Sequence, residues 1–277
     1  MIINDSKKIC FVHIPKCAGT SIRSLIQEFD DLNGEHTDRV EVHSELGLLD
    51  YVHIPLPVLS EHFPELYSKV KSYHSFAIIR DPYQRFASSV AQRLKMYGKK
   101  DLKDASNEDV IKEINSCIHF LSDNIEEKIL PAEYIHFQRQ SSYIFFNEKK
   151  IVNKLYLMED IDNCLFDISK LLGLDDNKKQ SNKIRPNKSL VYRSRLFFKI
   201  NQLGAPLIRA FISDSFLLKL RTLVKLCVPR TILLKLRGLI LVSRNTHMNE
   251  LFTTDNVKDF IQRYYKEDID LYNSLKK

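Results

Sequence analysis

The sequence predicts an α/β fold: a P-loop-like three-layer domain in which helices flank a mainly parallel sheet, followed by a basic helical C-terminal region. Three observations predict it. Short apolar runs at 9–14, 75–79 and 154–158 each lead into a segment of helical periodicity. The first two of these junctions carry a basic residue, Lys16 and Arg80. Apolar strands that alternate with helices pack best as a parallel sheet covered on both faces.

The first run breaks at Pro15, and Lys16, Cys17, Ala18 and Gly19 then lead to Thr20 and Ser21. A helix is expected over 20–29, where Ile22, Leu25, Ile26 and Phe29 recur at the spacing of one buried stripe. Its N-terminus brings together free backbone N–H groups, the positive end of the helix dipole, two hydroxyls and the Lys16 ammonium. Such a corner suits a phosphate. The competing reading is a plain strand-to-helix turn with a solvated lysine.

The second run ends at Arg80, with Asp81 as helix cap and Pro82 at the first helical position. A helix is expected over 82–97, burying Phe86, Val90, Leu94 and Tyr97 and leaving Arg85, Ser88, Ser89 and Gln92 nearer its polar side. Arg80 supplies fixed, charge-assisted donors for a second phosphate, or else pairs with a carboxylate such as Asp81. A helix near 107–125, a strand at 154–158 and a helix at 161–172 complete the alternation. Residues 30–74 lack a long period and contain Pro55, Pro57 and Pro64, which marks them as a loop-rich region of the kind that carries functional residues. The chain divides near residue 190 into a core, 1–190, and a C-terminal region, 191–277, packed on the core or continuous with it.

A Walker loop ends in Gly-Lys-Ser/Thr, whereas here the lysine precedes the glycine. The segment Pro15-Lys16-Cys17-Ala18-Gly19-Thr20-Ser21 resembles the 5′-phosphosulfate loop of PAPS-dependent sulfotransferases, in particular their carbohydrate branch with its bacterial members. Cys17 and Ala18 stand where that loop usually has Thr and Gly. Arg80-Asp81-Pro82 with Ser88 resembles the family's 3′-phosphate motif. Weaker similarity extends to His136–Tyr143, Leu155–Glu159, Asn187-Lys188-Ser189 and Tyr264–Asp268, so the resemblance runs over most of residues 8–275.

The resemblance implies PAPS as donor and adenosine 3′,5′-bisphosphate as product. It also implies a carbohydrate acceptor, whether polysaccharide, oligosaccharide or glycolipid; no required metal is expected, because the histidines other than His43 and His53 do not pattern with cysteines or acids as a ligand set. Lys16 through Ser21, Arg80 and Ser88 would contact the nucleotide, joined by Arg185, Lys188 and Ser189 from a late loop. Lys16 would also neutralise charge developing in the reaction. The general base is sought among groups able to titrate near working pH between the two motifs. Related enzymes place a histidine followed by apolar residues at about the position of His53; His43, flanked by Glu41 and Glu45, is its rival, and those two carboxylates are further candidates.

The 277 residues carry a net charge of +7, unevenly distributed. Residues 185–244 hold thirteen Lys or Arg against one acid, Asp214, so this segment alone is +12 and the rest is −5. Leucines recur through it, with a break at Pro229, which reads as amphipathic basic helices. These would lie on an anionic membrane surface, face a polyanion, or pack on the domain with their lysines solvated. No nucleic-acid-binding motif accompanies the charge.

Five cysteines without paired spacing argue for a reducing compartment. No run of about eighteen apolar residues and no signal-like segment is present, so a cytoplasmic protein, peripheral at the inner membrane face, is expected. Two other classes stay open: a P-loop-like kinase or NTPase using Glu159 and Asp160 as Mg²⁺ ligands, and a noncatalytic protein that binds membrane surfaces or polyanions.

Overall fold

The structure is a computed structural model that describes residues 1–37, 39–102, 104–173 and 250–276, together with the backbone of 190–192 and 241–243. Its sheet is built from β1 (Ile2–Asn4), β2 (Ile9–Phe11), β5 (His74–Ile79) and β8 (Lys154–Leu157), in the order β1-β2-β5-β8. β2, β5 and β8 run parallel, in register Phe11 with Phe76 and Ile79 with Leu157. β1 closes the edge antiparallel to β2, a short strand that periodicity alone does not announce.

Helices connect the parallel strands and cover them, as a parallel sheet requires. α1 (Gly19–Ile26) follows β2 and buries Ile22 and Ile26, with Leu25 and Phe29 packed at the core's margin. The hairpin of β3 (Val40–His43) and β4 (Gly47–Asp50) follows, then α2 (Leu56–His62) and α3 (Pro64–Ser72). Pro57 and Pro64 both sit in first turns, where a missing N–H costs nothing.

α4 (Pro82–Met96) starts as expected: the Asp81 side chain accepts the Gln84 N–H at 3.0 Å, and Pro82 is the first helical residue. Phe86, Val90 and Leu94 are buried, but Tyr97 is 47% exposed, while Arg85 and Ser89 are buried. The inward face of α4 is therefore rotated from the apolar stripe, because two polar groups on it find partners inside. α5 (Asn107–Asp123) is closed by a reciprocal Ser106–Asp109 capping box, and α6 (Ile161–Leu172) follows β8. A minor hairpin, β6 (Phe145–Phe146) with β7 (Lys149–Lys150), precedes β8.

The chain divides into two compact units. The first comprises Met1–Pro186 and Leu251–Lys277, so α7 (Asp255–Tyr264) and α8 (Lys266–Leu275) belong with the sheet and its helices. The C-terminal helices are thus not of one piece with the basic segment, as a boundary near 190 implies. The physical reason is visible in their contacts: Phe260 packs on Phe86, the Tyr265 hydroxyl donates to the Phe137 carbonyl at 2.7 Å, and Asp268 is fully buried.

The second unit, Asn187–Glu250, contains β9 (Leu190–Tyr192) paired antiparallel with β10 (Leu241–Ser243). The basic amphipathic helices expected across 191–244 otherwise lie outside the described residues. Among the described residues, no helix is long and apolar enough to cross a membrane.

Candidate functional site

Lys16 and Arg80 follow the carboxyl ends of adjacent parallel strands, where ligands of open α/β sheets bind. Between β2 and α1 the chain turns sharply, with Lys16 and Ala18 both in the left-handed region at φ 63° and 61°. This turn directs the Cys17 side chain inward. Cys17 is buried and its thiol, pushed up to about 12 by burial, points at Oε1 of the Gln140 side chain 3.2 Å away. Of Cys17, only the backbone is left to face a ligand.

Gly19 opens α1 for a steric reason. A Cβ there would stand 1.7 Å from Nε2 of His13, whose ring forms the floor of the loop. No side chain caps α1; the Ser21 N–H turns back to the Ala18 carbonyl at 3.0 Å, and the Gly19 and Thr20 N–H groups have no acceptor among the described residues. Thr20 is exposed and Ser21 half-buried at this end.

Arg80 meets the loop directly, its Nη1 donating to the Lys16 carbonyl at 3.0 Å. Its Nε is buried without a hydrogen-bond partner among the described residues. Lys16 Nζ donates to Oε1 of Gln92 on α4 at 3.1 Å, and Ser88 lies half-buried on the same helix.

Gln140 joins the two corners. Its side-chain oxygen accepts the Arg80 N–H at 3.0 Å, and its amide nitrogen donates to the Arg80 carbonyl at 2.9 Å. Gln140 therefore pairs with the backbone of Arg80 as a further strand would, while also touching Cys17. Asp268 of α8 in turn holds the Gln140 and Ser141 N–H groups, each at 2.8 Å, and lies 3.5 Å from Arg85 Nη2. Arg85 Nη1 and the Ser89 hydroxyl both donate to the His136 carbonyl, at 3.2 and 2.7 Å. The sequence marks the segments of Gln140 and Asp268 only by resemblance and gives them no role, since a buried glutamine or aspartate looks like any polar residue until its partners are known.

Three imidazoles stand beside this frame. The His53 ring packs edge-on against His13 at 4.5 Å and against His136 at 5.7 Å. Burial lowers the pKa of His13 and His53 well below 6.5, and burial with the nearby Lys16 and Arg85 charges lowers His136 to about 4. All three are neutral at pH 7. His53 Nδ1 lies 3.1 Å from the His13 carbonyl, which only accepts, so Nδ1 carries the proton and Nε2 keeps its lone pair. The Tyr143 hydroxyl fixes the His53 carbonyl at 3.1 Å.

His43 has the opposite tautomer. Its Nδ1 faces the Glu45 and Leu46 N–H groups at 3.3 and 3.4 Å, so that lone pair is already engaged. Its ring packs with His62 and Phe63, in a cluster separate from the three imidazoles. Glu41 is engaged by Arg39, and Glu45 stands 3.1 Å from His62. Glu159 accepts the Tyr272 hydroxyl, and among the described residues no three His, Cys, Asp or Glu converge to hold a metal ion. Arg185, Lys188 and Ser189 lie outside the described residues.

A family model described as the sulfotransferase family matches residues 1–201, a span that includes both basic corners, Gln140 and the three imidazoles. No curated protein and no solved structure matches the chain.

Proposed function

The chain belongs to the sulfotransferase family, and from that premise we propose that it moves a sulfuryl group from PAPS to a hydroxyl of a carbohydrate acceptor, with His53 as general base. The observation that carries the proposal is the hydrogen bond from Arg80 to the Lys16 carbonyl, which holds the two basic corners side by side at the uncapped start of α1. The buried Arg80 Nε and the Gly19 and Thr20 N–H groups, none with a partner among the described residues, fit a donor with phosphates at both ends of its ribose. When bound, PAPS supplies the activated sulfuryl group and a 3′-phosphate that ADP lacks.

In this reading Arg80 and Ser88 hold the 3′-phosphate, and the backbone of residues 17–21 with the Thr20 and Ser21 hydroxyls holds the other end. Arg185, Lys188 and Ser189 complete the nucleotide face. Lys16 neutralises negative charge that builds as the leaving oxygen departs, the kind of preorganised electrostatic contribution on which such transfers depend. His53 Nε2 takes the proton of the acceptor hydroxyl. Its depressed pKa keeps it unprotonated throughout the neutral range. Buried free thiols at Cys10, Cys17, Cys117 and Cys164 support a reducing, cytoplasmic setting.

The test is transfer of radiolabelled sulfuryl from PAPS to a panel of glycosides by wild type, Lys16→Ala and His53→Ala. Label should move in the wild type, and each variant should lose on the order of 10²–10⁴ in kcat. Undiminished transfer by His53→Ala would remove the base assignment. ATP or GTP turnover without sulfuryl transfer would remove the reading itself.

A further inference from the structure

A groove of about 390 Å³ opens between the end of β4, the end of α4 and residues 129–133. Leu46, Leu48, Tyr97, Ile129 and Pro131 supply apolar wall, the charged members are Asp50 and Glu133, and none of the lining residues is Lys or Arg. Each wall belongs to a segment that also supplies a residue of the site described above. Asp50 lies three residues before His53, and its carbonyl accepts the His53 N–H at 3.1 Å. Glu133 lies three residues before His136. Tyr97 lies five residues beyond Gln92, roughly 7–8 Å along the helix.

The β3–β4 hairpin extends the groove. Its register pairs Val42 with Leu48 and Val40 with Asp50, so these four side chains share one face. That face is open: Val40, Val42 and Leu48 are 52%, 78% and 56% exposed. Several aliphatic side chains left in solvent on one short hairpin, contiguous with an apolar groove, mark a binding surface.

Charge decides what binds. A polyanion would set its sulfates or carboxylates against Asp50 and Glu133. Arg93 Nη2 stands 3.7 Å from Glu133, but Arg93 already donates to Glu113 and the Tyr134 hydroxyl. We infer that the groove takes the apolar portion of an uncharged amphipathic acceptor, an alkyl or acyl glycoside of the glycolipid class, while its sugar hydroxyl reaches His53. This rests on the sulfotransferase reading and selects one class among its acceptors.

The experiment is calorimetric binding of octyl glucoside, methyl glucoside and dextran sulfate to the full chain saturated with adenosine 3′,5′-bisphosphate, for wild type, Leu48→Gln and Tyr97→Ala. Octyl glucoside, below its micellar concentration, should bind about tenfold or more tightly than methyl glucoside, the worth of burying an apolar chain. Each variant should lose roughly tenfold in octyl glucoside affinity with methyl glucoside and bisphosphate affinities unchanged, which also certifies its folding. Equal affinity for the two glucosides, an octyl preference that both variants retain, or tight binding of dextran sulfate that both variants weaken overturns the inference. Absence of bisphosphate binding overturns the sulfotransferase reading and the inference with it, whereas bisphosphate binding without a glucoside preference overturns the groove alone.

Discussion

Replacing Asp268 by Asn should damage both the stability of the domain and its nucleotide site, though the residue lies on the terminal helix. Asp268 is fully buried and accepts the Gln140 and Ser141 N–H groups at 2.8 Å, one on each carboxylate oxygen. Burial raises its pKa, and the Arg85 guanidinium and the two N–H donors oppose that rise. An asparagine amide presents one oxygen and one NH₂ group, so one of the two backbone donors would face another donor. Arg85, 1% exposed, would also lose its counter-charge. Breaking a buried pair from one side costs about 3–5 kcal/mol, and the orphaned N–H belongs to the same network, so the two costs do not simply add.

A loss of about 3–5 kcal/mol is a large part of the 5–15 kcal/mol that typically holds a domain together. The effect should reach the ligand because Gln140 fixes both backbone groups of Arg80. We expect about tenfold weaker binding of adenosine 3′,5′-bisphosphate, the worth of one charge-assisted hydrogen bond misaligned. Urea denaturation and calorimetric titration measure the two quantities, with Tyr272→Phe as control because it removes a different bond of the same helix. Unchanged stability would refute the buried-pair argument. Lost stability with unchanged bisphosphate affinity would refute the link from α8 through Gln140 to Arg80.

Gly19→Ala places a methyl group 1.7 Å from His13 Nε2, in a ring packed between Phe11 and His53, so the variant should lose about 1–3 kcal/mol although alanine is the better helix former; denaturation midpoints check this. Stability should also fall on acidification. His13, His53 and His136 have folded pKa values below 6.5, so between 6.5 and about 4 the unfolded chain binds protons that the folded one refuses, and stability present at pH 7 is lost as pH falls through that window. His136 alone accounts for on the order of 2–3 kcal/mol by pH 4, and a flat urea midpoint from pH 7 to about 4 would contradict the burial of these rings as neutral groups.

The alternation of apolar runs and helical periods made the sheet and its main helices legible, since β5, α4, α5, β8 and α6 follow from local pattern and caps. The two basic corners were legible because strand ends and helix starts are themselves local signals. Tyr97 was not, because periodicity treats Arg85 and Ser89 as outward-facing, and the groups that turn them inward, the His136 carbonyl and, for Arg85, the Asp268 carboxylate, come from segments about fifty and about 180 residues later. Gln140 and Asp268 were hidden for the same reason: their roles consist of bonds spanning 60 and 128 residues of chain. The choice between His53 and His43 also needed coordinates, because it rests on which ring nitrogen each backbone neighbour occupies.

The most direct test of the account is calorimetric titration of wild type and Arg80→Ala with adenosine 3′,5′-bisphosphate and with ADP. The account predicts that the wild type prefers the bisphosphate by about tenfold or more and that Arg80→Ala loses this preference while keeping its affinity for ADP, since Arg80 serves the 3′-phosphate. Equal affinities in the wild type, or tighter Mg²⁺-dependent binding of ADP, would contradict it.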